Sequence, residues 1–403
     1  MNYSIIVPVY NRPDEVDELL QSLCEQNFKD FEVIIVEDGS QVPCEAVCRR
    51  YEDRLDLHYY YKENSGPGQS RNYGAERAQG DWLIVLDSDV VLPKGYLEAV
   101  EKKTHPRPLP ERRGEDSPIL ENADGQGNYS PPSQGGAERW VCFGGPDAAH
   151  DSFSPVQKAI SYSMTSFFTT GGIRGASPQS GGVRGASLDK FYPRSFNMGI
   201  RREVYQELGG FSKMRFGEDI DFSYRIVEAG YKTALLPDAW VWHKRRTDFR
   251  KFFRQVFNSG IARINLTKRH PGTMKFVHVL PAIFTVGTIL LAVIAFFGFI
   301  IALLGLWASW PRSGQQPHCN HSILLVFFGI FVILAALSPL LLYSLIIFVH
   351  SSMKNRSLWV GLLSVPAAFV QLTGYGLGFL KAWWKRMVLK QDEFTAFEKN
   401  FYK

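Results

Sequence analysis

The sequence predicts an α/β fold with a mostly parallel sheet, followed by C-terminal transmembrane helices. Three observations carry that prediction. Short continuous apolar runs alternate with amphipathic or small-residue stretches, as expected of strands covered on both faces by crossing helices. Acidic residues cluster where the apolar runs stop, and in open parallel sheets ligands bind beyond the carboxyl ends of the strands. From Val277 onward the composition turns strongly apolar.

"YSIIVPVY" reads as a buried strand, Pro13 stands where a helix opens, and "DEVDELLQSLCEQ" is amphipathic. "FEVIIVEDGS" is a strand breaking into a turn, and "LDLHYYYKE" is a third strand. "GPGQSRNYGAERAQG" is a small-residue helix bounded by glycines, and "WLIVLDSD" is a fourth strand. The polar residues at the strand ends are Asn11, Arg12, Glu37, Asp38, Ser40, Asp87 and Asp89. A helix ("PKGYLEAVEKK") and a strand ("RWVCFGGP") come next, separated by 104–138, which is rich in proline, glycine and charge. That stretch has no apolar period and reads as a disordered insertion. "GGIRGAS" and "GGVRGAS" form a near-duplicate, in which Arg174 or Arg184 suits a phosphate. "SFNMGIRREVYQELGGF" is a strand and helix fit to wall an acceptor. "RFGEDIDFSYRIVEAGY" opens an amphipathic helix, and "DAWVWH" is a short strand ending in His243.

The organisation expected is one domain over 1–273, a membrane domain over 274–380, and a basic, aromatic tail over 381–403. "VHVLPAIFTVGTILLAVIAFFGFIIALLGLW" holds no Asp, Glu, Lys or Arg, and it exceeds the roughly 20 residues a span needs. "SILLVFFGIFVILAALSPLLLYSLIIFV" is a second span. "LWVGLLSVPAAFVQLTGYGLGFL" is weaker, because of Pro366, Gln371 and its glycines. The count is therefore two or three.

Net charge is +5, and its distribution matters more. Lys244, Arg245, Arg246, Arg250, Lys251, Arg254, Arg263, Lys268 and Arg269 crowd before the first span. By the positive-inside rule this keeps the N-terminal domain cytoplasmic; it also attracts anionic lipid, and the adjoining span, not the charge, argues against nucleic acid as a partner. The N-terminus lacks a basic-then-apolar signal pattern. A third crossing would carry Lys381, Lys385, Arg386 and Lys390 outside, so the third segment is interfacial or re-entrant, or it breaks the rule. "FRKFFRQVFNSGIARINLTKR" has the character of an interfacial helix, and "SPVQKAISYSMTSFFTT" rests on membrane or lipid-linked acceptor, or packs on the sheet. The five cysteines form no zinc-type pairs; Cys44 and Cys48 read as packing, and "PHCNH" as a polar loop.

Asp87 and Asp89 end a buried strand on the ligand edge. Two hard oxygen donors there, without a full protein cage, suit a divalent cation such as Mg or Mn held partly by substrate phosphates. Such a cation neutralises a departing diphosphate. Glu218, Asp219 and Asp221 stand in a helix's first turn, where the dipole alone favours them. Asp219 also suits taking a proton from an attacking hydroxyl. His243 is either a packed residue or a third metal ligand.

"SIIVPVYNR", "VIIVEDGS", "GPGQSRNYG", "VLDSDVVLP", "FGGPDAAH", "SFNMGIRREV" and "GEDIDFSYRI" occur in the order found in GT-A fold glycosyltransferases of family 2. The chain most resembles the membrane-anchored bacterial members that build surface polysaccharides, of the succinoglycan-synthesis type. The resemblance covers about the first 270 residues apart from the insertion. It implies a Rossmann-like GT-A domain. Pro8, Tyr10, Asn11 and Arg12 would hold the nucleoside, and Glu37 and Asp38 would contact base or ribose. Gly66, Arg71 and Asn72 would lie under the nucleotide-sugar, with Asp87 and Ser88 also on the donor side. Asp87, Asp89 and His243 would hold the metal, Asp89 most directly; Asp219 would be the inverting base; Gly144, Gly145 and Glu218 would face the acceptor.

The partners implied are a nucleotide-sugar, a UDP-sugar foremost, a glycan or lipid-linked acceptor, and membrane lipids. The place implied is the bacterial cytoplasmic membrane, with the catalytic domain facing the cytoplasm. Processive relatives carry Gln-x-x-Arg-Trp before their membrane channel. Here "FFRQVFNSGIARINL" has Gln255 with no Arg-Trp after it, so one sugar per encounter is expected. Two alternatives stand beside this: transfer to polyprenyl phosphate, which needs no base, and a membrane-anchored nucleotide-sugar scaffold without turnover.

Overall fold

The structure is a computed structural model that describes residues 1–104, 140–148, 153–170, 191–310 and 319–393. Apart from Thr104, the expected insertion lies outside them, as do both glycine–arginine repeats with Arg174 and Arg184, and His318 of the polar loop.

The chain alternates as its apolar runs predict. In order come β1 (Tyr3–Val9), α1 (Pro13–Cys24), β2 (Phe31–Asp38), a one-turn α2 (Glu45–Cys48), β3 (Asp56–Lys62), α3 (Pro67–Ala75) and β4 (Trp82–Leu86). Then come β5 (Val90–Val91), α4 (Tyr96–Thr104), β6 (Cys142–Gly144), β7 (Asp147–Ala148), α5 (Pro155–Thr165) and α6 (Phe167–Thr170). β8 (Asn197–Arg201), α7 (Arg202–Glu207), α8 (Glu218–Glu228), β9 (Thr233–Leu235) and β10 (Val241–His243) complete the α/β part. Four long helices follow: α9 (Phe249–Arg269), α10 (Phe276–Ser309), α11 (Cys319–Asn355) and α12 (Leu358–Trp383).

The main sheet runs β3-β2-β1-β4-β8-β6-β9. β3, β2, β1 and β4 are parallel, and β8 runs against both β4 and β6. Every residue of β1, β2 and β4 is buried, which is why those strands read as unbroken apolar runs. The polar exceptions are satisfied: Ser4 Oγ donates to Glu32 Oε1 at 2.6 Å, and the same carboxylate oxygen accepts from Gln79 N at 2.6 Å. Strand order reverses on either side of β1, so the crevice beyond the ends of β1 and β4 is the switch point where such sheets bind ligands.

A second sheet has the order β5-β10-β7, and its β5 follows β4 after the Asp87–Asp89 turn. Its strands are two or three residues long, too short for any periodicity to reveal. Its register sets His243 opposite Val90, one residue beyond Asp89. α10 and α11 form an antiparallel hairpin in which Gly298 meets Gly329, and Gly305 meets Val326. Their outward faces are exposed and apolar, including Phe296, Phe297, Leu324 and Phe327. Together with α12, three helices are long and apolar enough to cross a membrane. Cys44 and Cys48 are buried with their sulfurs 4.0 Å apart and simply pack.

Candidate active site

Two acid pairs stand on either side of the Arg71 guanidinium. The first, Asp87 and Asp89, leaves β4 in the turn into β5. Asp89 is buried and receives Arg12 Nη1 on Oδ2 at 2.6 Å and His243 Nε2 on Oδ1 at 3.2 Å. Burial pushes its carboxyl up, but the His243 and Arg12 hydrogen bonds and charges outweigh that and hold it well below the usual carboxylate range. Asp87 receives Arg71 Nη2 at 2.8 Å. Ser88 between them is buried and fills the turn.

The second pair, Glu218 and Asp219, opens α8. Gly217 precedes it with φ +84°, a left-handed conformation that glycine adopts without penalty. Arg194 Nε lies 2.6 Å from Asp219 Oδ2, and Ile220 N donates to Asp219 Oδ1 at 2.9 Å. Arg71 Nη1 lies 3.0 Å from Glu218 Oε1. Burial pushes both carboxyls up, yet they part company. Arg194 and Arg71 hold Asp219 below its ordinary value, whereas for Glu218 burial and the neighbouring Asp219 charge outweigh Arg71 and leave it raised. Asp221, one turn on, points elsewhere: it bonds Ser212 Oγ, Arg225 Nε and His270 Nε2.

Arg71 therefore joins the pairs. Its guanidinium is buried, donates to Asp87 on one side and Glu218 on the other, and stacks over Phe211 at 5.2 Å. Removing it would leave the buried Glu218 without its cation, a loss of about 3–5 kcal/mol for a buried pair, and would also unpair the half-buried Asp87.

The donor set fits a divalent cation. Asp87, Asp89 and His243 each offer one ligand atom, and these atoms lie within 4.8 Å of one another. Two carboxylates and an imidazole form a hard, incomplete cage that leaves positions for phosphate oxygens. His243 Nδ1 is buried without a hydrogen bond, and Asp147 Oδ2 stands 3.9 Å away, placed to fix the ring with Nε2 toward the ligand. Asp147 is itself held by Arg245 Nη2 at 2.5 Å.

The remaining expected donor residues divide. Tyr10 is exposed at the end of β1, and Pro8 is buried within it. Asn11 has φ +55°, and its Oδ1 accepts from Gln41 N and Val42 N, tying the β1 loop to the β2 loop. Asp38 accepts from Lys62 Nζ, Ser65 N and Gly66 N, which sets the start of α3. Glu37 is fully buried and bonds Ser40 Oγ and Cys44 N, and Asn72 Oδ1 accepts from Tyr205 Oη and Phe211 N while its Nδ2 donates to Phe211 O. Glu37 and Asn72 thus brace the loops around the crevice. Gly144 and Gly145 are close-packing positions: a Cβ on Gly145 would lie 1.7 Å from Ala239 O.

Residues 4–105 match the family described as Glycosyl transferase family 2, and residues 193–259 match Glycosyltransferase like family 2. The first segment carries Asp87 and Asp89, the second Arg194, Glu218, Asp219 and His243. Among curated proteins, an uncharacterized glycosyltransferase of Haemophilus influenzae is 46% identical over 87 residues, covering 21% of this chain and 29% of that protein. The poly(ribitol-phosphate) β-N-acetylglucosaminyltransferase TarS of Staphylococcus aureus is 35% identical over 102 residues, covering 24% and 18%. The validoxylamine A glucosyltransferase of Streptomyces hygroscopicus is 36% identical over 111 residues, covering 27% and 26%. The matches thus span under a third of each relative's length. A mannosyltransferase from Pyrobaculum calidifontis, solved with GDP-Man and Mn2+, is 13% identical with a TM-score of 0.49, covering 96% of this chain and 88% of that one. A likeness that slight carries no functional inference.

Proposed function

The chain carries the glycosyltransferase family 2 domain, and on that premise we propose that it is an inverting, metal-dependent enzyme. It moves one sugar from a nucleoside-diphosphate sugar to a hydroxyl on a membrane-borne acceptor. The observation that carries the reading is Arg71, whose guanidinium bridges Asp87 and Glu218 and sets a cation-binding pair and a proton-accepting pair on two sides of one crevice.

Asp87, Asp89 and His243 would hold a divalent cation, which would supply charge neutralisation for a departing diphosphate. The chain's own groups do the rest. Arg12 and Arg246 lie 2.6 and 4.0 Å from Asp89 and offer guanidiniums to the same phosphates. Asp219, kept ionised by Arg194, takes the proton of the acceptor hydroxyl as its oxygen bonds the anomeric carbon and the bond to the diphosphate oxygen breaks.

The acceptor side lies close to the apolar helices. A Cβ on Gly217 would meet Ala262 and Leu266 of α9, so Asp219 stands one helix layer from the membrane-associated part. That proximity favours a lipid-linked acceptor. It also keeps polyprenyl phosphate in view, as an acceptor already anionic and independent of a base.

The test is release of nucleoside diphosphate from a panel of nucleotide-sugars by the purified full chain, with and without Mg2+ or Mn2+. Metal-dependent release that is lost in Asp89→Ala and in Asp219→Asn is expected. Full activity in both variants sinks the mechanism. Activity kept by Asp219→Asn alone favours the phosphate acceptor, and donor binding without turnover on extracted lipid acceptors favours a scaffold.

A further inference from the structure

α12 differs from the other two long apolar helices. Half of its most apolar stretch is buried inside the protein, against 17% for α10 and 11% for α11. Its position explains this. Gly361 of α12 packs on Ser352 of α11, Ser364 bonds Ser351 at 2.6 Å, and Ala368 packs with Ile347. Those partners lie in the last turns of α11. Further along, Phe369 meets Phe284 and Tyr343, Gly376 meets Pro281, and Phe379 packs with Ala282. Pro281 and Ala282 lie in the first turns of α10. The start of α10 and the end of α11 are the same end of one hairpin. Both ends of α12 therefore sit at that end, and only its middle reaches as deep as Phe284 and Tyr343.

The opposite face of α12 is covered along its length by α9. At its start Phe249 packs against a cluster of Val360, Ala367 and Ala159 of α5; further on Val370 packs against Phe252 and Val256, and Ala382 shares a cluster with Ile261 and Ile264. Backbones touch: a Cβ on Gly260 would lie 2.1 Å from Tyr375 O, and one on Gly378 2.0 Å from Phe257 O. Beyond α12, Arg386 Nε donates to Asn265 Oδ1 at 2.9 Å, and Glu393 pairs with Arg269 at 3.3 Å. α9 exposes Arg250, Lys251, Arg254 and Lys268. A helix with those charges is strongly disfavoured in a bilayer interior, and α12 cannot enter without it.

We infer that the chain crosses the membrane twice, through α10 and α11. α12 does not cross; it lies over the base of that hairpin and forms with α9 a two-helix platform at the lipid surface. Lys381, Lys385, Arg386 and Lys390 then stay on the side of the α/β domain, as the positive-inside rule requires. Trp359, Trp383 and Trp384 stand exposed at the two ends of α12, where headgroup-level anchoring by aromatic rings is expected.

The test uses the full chain with protease-cleavable epitope tags at its N-terminus, at its C-terminus, or in the loop between α10 and α11, in sealed membrane vesicles of known orientation. Both terminal tags should be cut in the same vesicle orientation, and the loop tag only in the other. A C-terminal tag cut from the side opposite the N-terminal tag, wholly or in a fixed share of molecules, overturns the inference. The readout is topology and not turnover, so it stands or falls apart from the proposed reaction.

Discussion

The two acid pairs are alike in charge and differ in what surrounds them. Each is balanced by guanidiniums, and each stands at the crevice end of its element. Asp87 and Asp89 leave a strand, and a second strand brings an imidazole to within 3.2 Å of Asp89. Glu218 and Asp219 open a helix, and no imidazole or third carboxylate is grouped with them among the described residues. A carboxylate pair that converges with an imidazole suits the cation proposed for it. A pair met by arginines and a backbone N–H suits one ionised member. Within that second pair the surroundings push Glu218 up and Asp219 down, the divergence that the proposed proton acceptor needs.

The contrast breaks most visibly at Asp89. Asp89→Ala should lower turnover by about 10⁴-fold, since several kcal/mol of charge stabilisation depend on the cation it holds. Circular dichroism should show the fold intact, and Mn2+ binding followed by electron paramagnetic resonance should be lost. Asp219→Asn should cost about 10²–10⁴-fold in kcat for a hydroxyl acceptor, the usual worth of a positioned base, while Mn2+ binding stays as in the parent. Equal loss of metal binding in both variants would erase the distinction. Asp147→Asn acts one step back, through His243. It should weaken Mn2+ binding by about 10–100-fold and leave the pH dependence of turnover alone.

Much of this site is legible before any coordinates. Continuous apolar runs mark β1, β2 and β4, and their ends mark Arg12, Asp38, Asp87 and Asp89 as residues that need partners. What brings His243 to Asp89 is not legible, because β5 and β10 are too short to leave a periodic trace. Arg194 and Asp147 escape notice for a related reason: each meets its partner only after the chain has folded over the sheet. Glu37 and Asn72 also brace loops: Glu37 holds Ser40 and Cys44, and Asn72 holds Tyr205 and the Phe211 backbone, contacts that residue type alone does not announce. α12 reads as a weak span because its glycines and Gln371 dilute the apolar run. Those same glycines let α9 and α10 approach closely.

The finest probe of the contrast is Arg194→Gln, which leaves Asp219 in place and removes its guanidinium. Arg194 is the chief group holding Asp219 below its ordinary value against the upward push of burial. On the proposed mechanism the acid limb of kcat/KM follows Asp219, held below its ordinary value in the parent, and the substitution should move that limb to higher pH. Stability should follow the same sign. A depressed folded pKa contributes stability that is present above the unfolded carboxylate value and is lost as the pH falls through the folded one. The variant should thus melt lower than the parent at neutral pH, with the gap closing on acidification. Above both limbs the freed carboxylate is the stronger base, so turnover should hold or rise a few-fold. A plateau that falls while the acid limb stays fixed would mean that Arg194 only anchors the segment before β8, and that Asp219 is not the group whose ionisation turnover requires.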